Sequence, residues 1–456
     1  MAFDTGLLLM PYDVVFHAPR AVLPDGERAA AVAVRGGQIA AVEPVDADLD
    51  ADRQVRLGDD EVLMPGLVDT HVHVNEPGRT EWEGFRSATR AAAAGGVTTL
   101  VDMPLNSIPP ACDSDALQIK RSAAEGQCFV DVGFWGGAIP GNESALAGLA
   151  ADGVFGFKGF LLDSGVAEFP PLGLGDLECA MREVAAVGSV LLIHAEDAAL
   201  ISPASGGRAY ADFLASRPDE AEVRAIEHVV EAAARTGART HIVHVSSAQT
   251  LETIKRAKES GVDLSAETCP HYLSLSAEAV PDGATEYKCC PPVRDSDNAE
   301  RLWELLRSGV LDFVVSDHSP STPDLKCLDT GDFGAAWGGI ASVQLGLSIT
   351  WTQARRRGHT RVDVARWMAE RPASRFGVPR KGRIEPGFDA DLCVFAPDAE
   401  FVVDAGRLHH RHPVTPYDGA TLAGVVRGTW LRGEHITPHV NEDRDPSGRL
   451  IARGDG

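Results

Sequence analysis

The 456-residue sequence has no excess of basic residues. Its 42 Lys and Arg stand against 66 Asp and Glu, for a formal net charge of −24. That deficit excludes nucleic acid as a partner, because a phosphate backbone calls for a basic footprint. None of the eight cysteines forms a C-x-x-C pair, and Cys289 and Cys290 are adjacent, so neither a structural zinc site nor a disulfide framework is expected. Buried thiols in a reducing cytoplasm are the expectation instead. No apolar run is long enough to span a membrane. The short one at residues 7–10 stops at Pro11 with no basic residue before it, and reads as neither a signal peptide nor a spanning helix. Short-period repeats and low-complexity linkers are missing, and the polar tail after about Thr437 is expected to fray.

What is present is an ordinary globular composition, 44% apolar and 24% charged, in a chain too long for one ordinary domain unless much of it is an α/β barrel. Residues 12–63 alternate short strand-like runs with turns, and Gly36-Gly37 between two such runs signals a hairpin. From Pro65 the rhythm becomes strand, loop, helix. Strands are expected at 62–68, 98–103, 129–134, 154–162, 190–194, 240–246, 262–267 and 313–316, the eight that such a barrel needs. Helices are expected at 83–94, 219–235, 248–260 and 298–307. After residue 382, further strand-like pieces resemble those at the N-terminus. The expected fold class is therefore α/β: a TIM-like (β/α)8 barrel over 65–381, with a smaller β-sandwich domain built from 1–64 and 382–456, the latter including the polar tail.

The run Asp69-Thr70-His71-Val72-His73 sets two imidazoles on one face of a strand, since side chains alternate and residues i and i+2 project together. Alone, the pair is equally compatible with two histidines satisfied in a core. Four further strand ends carry comparable groups, however: Lys158 in Phe157-Lys158-Gly159, His194 after Leu192-Ile193, His244 after Ile242-Val243, and Asp317 after Val315-Ser316. A site at the carboxyl end of barrel strands predicts that distribution. Four imidazoles and a carboxylate suit borderline divalent cations such as zinc. If two cations lie together they need a bridging ligand, which a lysine supplies once carbon dioxide converts its amine to a carbamate. An apolar setting would depress the lysine pKa enough for that. A lysine snorkelling to solvent, beside glycines 156 and 159 placed for tight packing, is the other reading of Lys158.

In ordered combination these pieces resemble the cyclic amidohydrolases of the amidohydrolase superfamily: dihydroorotases, dihydropyrimidinases (hydantoinases) and, nearest, allantoinases. The resemblance runs from about Val62 to Val426. It is densest from Met64 to Gly78, and continues in Gly95-Gly96-Val97-Thr98-Thr99, Asp102-Met103-Pro104-Leu105-Asn106-Ser107, His194-Ala195-Glu196, His244-Val245-Ser246-Ser247, Lys288-Cys289-Cys290-Pro291-Pro292-Val293-Arg294 and Ser316-Asp317-His318-Ser319-Pro320. It implies two divalent cations, zinc first among the candidates. His71, His73 and Asp317 would hold the more buried one and His194 and His244 the other, with N6-carboxylated Lys158 and a hydroxide between them. Asp317 would also be the general base and then the general acid. His241 and His271 are assigned to supporting roles. A homotetramer follows by analogy.

The residues around this set choose among substrates. Dihydroorotases of this type carry an arginine two residues after the second histidine, where this chain has Asn75; an amide cannot replace a bidentate guanidinium on a carboxylate. Dihydropyrimidinases carry a tyrosine five residues after the lysine, where this chain has Asp163, whose charge would oppose a developing oxyanion. The expected reaction is hydrolysis of the cyclic amide of allantoin to allantoate, with a hydantoinase acting on a related cyclic ureide as the alternative. Asn75, Asn106, Ser319 and main chain at Cys290 and Gly338-Gly339 are the expected substrate contacts. A metal-free scaffold or an assisting subunit, the other classes weighed, would not need the complete donor set.

Overall fold

The computed structural model describes residues 11–204, 206–436 and 445–454. The apolar run at 7–10 lies outside them. Five strands open the chain: β1 (Tyr12–Leu23), β2 (Gly26–Arg35), β3 (Gln38–Glu43), β4 (Ala51–Arg56) and β5 (Val62–Pro65). The hairpin between β2 and β3 turns at Gly36 and Gly37, with φ of 61° and 79°. Two successive positive φ values are what a tight hairpin with the right twist requires, and glycine supplies them without steric cost.

Nine short strands follow: β6 (Leu67–Val72), β7 (Val97–Asp102), β8 (Asp131–Phe134), β9 (Gly136–Gly137), β10 (Phe157–Phe160), β11 (Val190–His194), β12 (Arg239–Ile242), β13 (Leu264–Thr268) and β14 (Phe313–Val314). All pair in parallel, β6-β7-β8 in one sheet and β9 through β14 in another. Strands are found at all eight expected places, mostly shorter than the sequence suggests, and the first, expected over 62–68, divides at Gly66 between β5 of the opening sheet and β6. The third is split at Trp135, which divides the hydrogen-bonding into two sheets. Beyond β14, His318 forms a parallel bridge with Val72, and the His73 amide donates to the His318 carbonyl at 2.8 Å. Every residue of β6, β7, β10 and β11 is buried. Burial on both faces explains the unbroken apolar run of β11 before His194.

Expected helices are found at Phe85–Ala94, Asp219–Thr236, Leu251–Glu259 and Ser296–Ser308. Others were not legible from the sequence, among them Ser114–Ala124, Glu143–Ala151, Leu174–Ala186 and Gly346–Arg356. Among the described residues, no helix is long and apolar enough to cross a membrane.

Strands β15 (Leu392–Val402), β16 (Thr421–Leu431) and β17 (Glu434–His435) return to the first sheet. Its order is β17-β16-β15-β5-β1-β2-β3, with β4 also paired to β1, so both chain regions build one branched sheet. The pairing of Leu392 with Pro65 joins the two contributions directly. The expectation of a frayed tail is corrected for 445–454. Leu450 bridges Val132, the Gly448 and Arg453 amides donate to the Cys128 and Gly153 carbonyls, and Ile451 packs on the cluster containing Val68, Phe155 and Phe313.

Candidate metal centre

The strand ends deliver their side chains to one cavity of about 560 Å³, lined by His73, Lys158, His194, His244 and Asp317 among others. His71 lies behind that wall, fully buried. His71 Nε2 and His73 Nε2 lie 3.2 and 3.5 Å from Asp317 Oδ1, and the three residues offer ligand atoms within 4.8 Å of one another. The imidazoles continue as a row: ring centroids are 5.4 Å apart for His71 and His73, 5.4 Å for His71 and His244, and 4.5 Å for His244 and His194. Neighbouring β10 and β11 carry Lys158 and His194, and the His194 ring stacks on Phe160.

Backbone conformation helps to aim these groups. His244 and Asp317 have φ of 39° and 44°, and Asn75 and Asn106 have 67° and 59°. Non-glycine residues pay a steric cost there, and such costs concentrate where geometry is dictated by function. The sharp turns explain why His244 and Asp317 lie beyond their strands, not within them.

His71 and His194 are each fixed from behind. His71 Nδ1 is 2.5 Å from Glu267 Oε1, and the other oxygen of that carboxylate is 3.0 Å from His241 Nε2. His194 Nε2 is 2.7 Å from Glu196 Oε2, which also accepts from Arg217 Nη1 at 2.7 Å. Asp69 accepts from the amides of His71 and Ser316 and so ties the first and last strands of the set together. These arrangements leave His71 Nε2 and His244 Nδ1 buried without a hydrogen-bond partner. Buried ring nitrogens are rarely left unsatisfied, and clustered ones beside a carboxylate fit a cation.

Electrostatics agree. Burial pushes His71 and His244 well below the ordinary imidazole range, with Lys158 adding to both shifts, so they are neutral and able to ligate. Burial likewise lowers Lys158 to about 8, partly opposed by Asp317 and Glu267. Its side chain is 1% exposed, which overturns the snorkelling reading. The flanking glycines do pack tightly: a Cβ at Gly156 would lie 2.6 Å from Val190 and one at Gly159 2.6 Å from Leu172. Burial would raise the Asp317 carboxyl, but the hydrogen bond from His73 and the surrounding imidazoles outweigh it and hold the group below the usual carboxylate range.

Of the expected substrate contacts, Asn106, Cys290, Ser319 and Gly338 line the cavity. Asn75 does not. It is fully buried, donates to the Pro320 carbonyl, and accepts from the Asn106 amide at 2.9 Å, so its left-handed backbone turns it into a support for Asn106. Asp163 is on the cavity rim with its carboxylate accepting from the Gly165 amide at 3.0 Å. His241 is buried between Ser265 and Glu267, in keeping with a supporting role. His271 is buried with both nitrogens unpartnered, and forms a second group of nearby ligand atoms with Cys269 and Asp317. Glu267, Glu196 and Arg217 were missed. The same i, i+2 alternation that pairs His71 with His73 pairs His194 with Glu196, and would have found the latter.

The amidohydrolase family model matches residues 62–436. An allantoinase of Streptomyces avermitilis is 54% identical over 97% of this chain and 99% of its own length. An allantoinase of Saccharomyces cerevisiae is 47% identical over 85% of this chain and 86% of its own. Among solved structures, the L-hydantoinase (dihydropyrimidinase) from Arthrobacter aurescens superposes with a TM-score of 0.91 at 31% identity, covering 97% of this chain and all of that one.

Proposed function

The chain belongs to the amidohydrolase family, and from that premise we propose that it opens the ring of allantoin to allantoate as a metal-dependent cyclic amidohydrolase. The observation that carries this is the convergence of His73, His194, His244, Lys158 and Asp317 at one cavity with His71 directly behind, and buried ring nitrogens left unpartnered on His71 and His244. His71, His73 and Asp317 would hold one divalent cation and His194 and His244 a second, zinc in both, with Lys158 between them as its N6-carboxylate. When bound, the cations supply Lewis acidity at the carbonyl and a water acidic enough to lose a proton near neutral pH.

The chain's own groups do the rest. Asp317 takes the proton of the attacking water on its carboxylate and returns it to the leaving ring nitrogen, a general base that becomes a general acid. Ser319 Oγ donates to Asp317 Oδ1 at 2.9 Å and steadies that carboxylate. Asn106, Ser319 and the main chain at Cys290 and Gly338 offer neutral donors and acceptors, which suits an uncharged, amide-rich ring. Asn75 acts through Asn106. Two residues after the second histidine stands Asn75 where an arginine would be needed, and Asp163 offers no hydroxyl to an oxyanion, which favours allantoin over dihydroorotate and dihydropyrimidines.

We read the two parallel sheets as one (β/α)8 barrel over 65–381. The Val72–His318 bridge and the continuity of β8 and β9 through Trp135, whose amide donates to Asp102, support that reading. Residues 1–64 and 382–456 would form the accompanying β-sandwich, its two leaves diverging where β1 pairs with β4 at one end and β5 at the other. A cytoplasmic homotetramer, with no nucleic-acid or membrane partner, completes the proposal. Turnover of allantoin, hydantoin, dihydrouracil and dihydroorotate by purified chain, paired with metal analysis, tests it: two cations per chain and a clear preference for allantoin are expected. Preference for hydantoin or dihydrouracil would replace allantoinase with hydantoinase, and a metal-free active enzyme would end the proposal.

A further inference from the structure

Two buried lysines have no part in the chemistry above: Lys288 on the cavity wall, and Lys326, which is bonded to main chain of that wall. Lys326 is 3% exposed, and its ammonium donates to three main-chain carbonyls, those of Lys288 at 3.3 Å, Trp337 at 3.1 Å and Gly339. Lys288 is also buried, donates through Nζ to the Ala336 carbonyl at 2.5 Å and the Gly334 carbonyl at 3.4 Å, and lies over the Phe213 ring. Among the described residues, neither ammonium has an ion-pair partner. Burying an ammonium without a carboxylate is costly unless every proton finds an acceptor, and the three carbonyls around Lys326 match its three protons.

These contacts lace two segments that otherwise meet through little else. The 334–339 segment belongs to the long loop after β14, and 288–290 to the loop after β13. One backbone hydrogen bond crosses between them, from the Gly339 amide to the Lys288 carbonyl at 2.8 Å, and that same carbonyl receives Lys326. A Cβ at Gly338 would be in ordinary van der Waals contact with Cys290 Sγ at 3.4 Å, while Gly339 packs on its own loop, where a Cβ would lie 2.2 Å from the Ser319 carbonyl. Both segments line the cavity, and among the described residues the amides of Cys290 and Gly338 donate to no protein acceptor. Backbone donors are nearly always paired, so two free ones at a cavity wall invite a ligand's acceptors.

We infer that Lys326 is a positioning residue for substrate: its ammonium holds the 337–339 main chain against 288–290, so that the Cys290 and Gly338 amides face a cyclic ureide as one rigid pair of donors. The inference rests on the cyclic-amide reading above but not on which cyclic amide is used. Losing the clamp leaves the metal ligands untouched and lets the recognition wall drift, which weakens ground-state binding before it affects the chemical step.

The test compares wild type, Lys326→Met and Lys326→Gln, each metal-loaded, on whichever of allantoin, hydantoin or dihydrouracil the wild type opens. Lys326→Met keeps the aliphatic stem and removes all three donors. It should raise KM by about tenfold, the effect of losing charge-assisted hydrogen bonds, with kcat within about threefold and metal content unchanged. Lys326→Gln, which retains an uncharged donor group, should fall between the two and serves alone if the methionine variant does not fold. An unchanged KM, or a fall in kcat or metal content with KM unmoved, would overturn the inference. Should the wild type open hydantoin or dihydrouracil in place of allantoin, the substrate reading fails while the KM ratio still decides Lys326. With none of them opened, both readings fall.

Discussion

Glu267 at the end of β13 lies 2.5 Å from His71 Nδ1, so a buried carboxylate fixes the imidazole whose opposite nitrogen faces Asp317. The same carboxylate reaches His241, which makes one acidic side chain the anchor for two neutral rings in a fully buried setting. Burial raises the Glu267 carboxyl well above its ordinary range, and the nearby Lys158 charge opposes that shift. Orienting contacts of this sort set the tautomer and the basicity of a ligating histidine.

Replacing Glu267 by Gln should therefore weaken cation binding by about 10- to 100-fold. Competition with a chromogenic chelator measures it, and binding as tight as wild type would refute the anchoring role.

Asp317→Asn should lower kcat by roughly 10²- to 10⁴-fold, the usual worth of a positioned acid–base group. The amide removes the proton acceptor but keeps the shape and one oxygen, so metal content should stay near that of the wild type. Steady-state kinetics with elemental analysis separates this from simple loss of a ligand.

Arg217→Met should disturb the opposite end of the row. Burial opposes ionisation of Glu196, and Arg217 with His194 brings it down to about 2, so the carboxylate orienting His194 depends on that guanidinium. Roughly 10- to 100-fold weaker binding of one cation and not the other is expected. Calorimetric titration with zinc distinguishes the two sites.

Lys158→Met should stabilise the metal-free protein. Burial lowers the lysine pKa from 10.5 to about 8, so the folded state binds fewer protons than the unfolded chain between those values. The penalty is fully present below pH 8, about 3 kcal/mol at most, and fades as pH rises towards 10.5. Denaturation of both metal-free proteins at pH 7 and pH 10 should show a gap that narrows at the higher pH. The metal-loaded variant should lose activity at either pH.

How much of this was legible beforehand depended on distance along the chain. Strand identity could be read from apolar runs such as 190–194, where β11 has the expected bounds, because burial on both faces writes itself into consecutive residues. The donors at strand ends were readable for the same reason. Strand lengths were overestimated wherever the chain turns sharply, as before His244 and Asp317, since a positive φ in a non-glycine residue leaves no local signature. The burial of Asn75 behind the cavity wall was not legible because its partners, Asn106 and Pro320, come from other loops. Glu267 and Arg217 act on histidines far away in sequence, and nothing local announces them. Helices such as Leu174–Ala186 escaped notice because a short segment that buries only Leu177, Ala180, Met181 and Val184 carries weak periodicity.

The seam where Pro65 of β5 meets Leu392 of β15 bears on how the molecule is made. A ribosome must deliver the whole catalytic region before that first sheet can find its missing edge, and Val132 waits longer still for Leu450. The earliest strands therefore emerge as an unfinished template with hydrogen-bonding groups to spare, and their completion is a late event of synthesis.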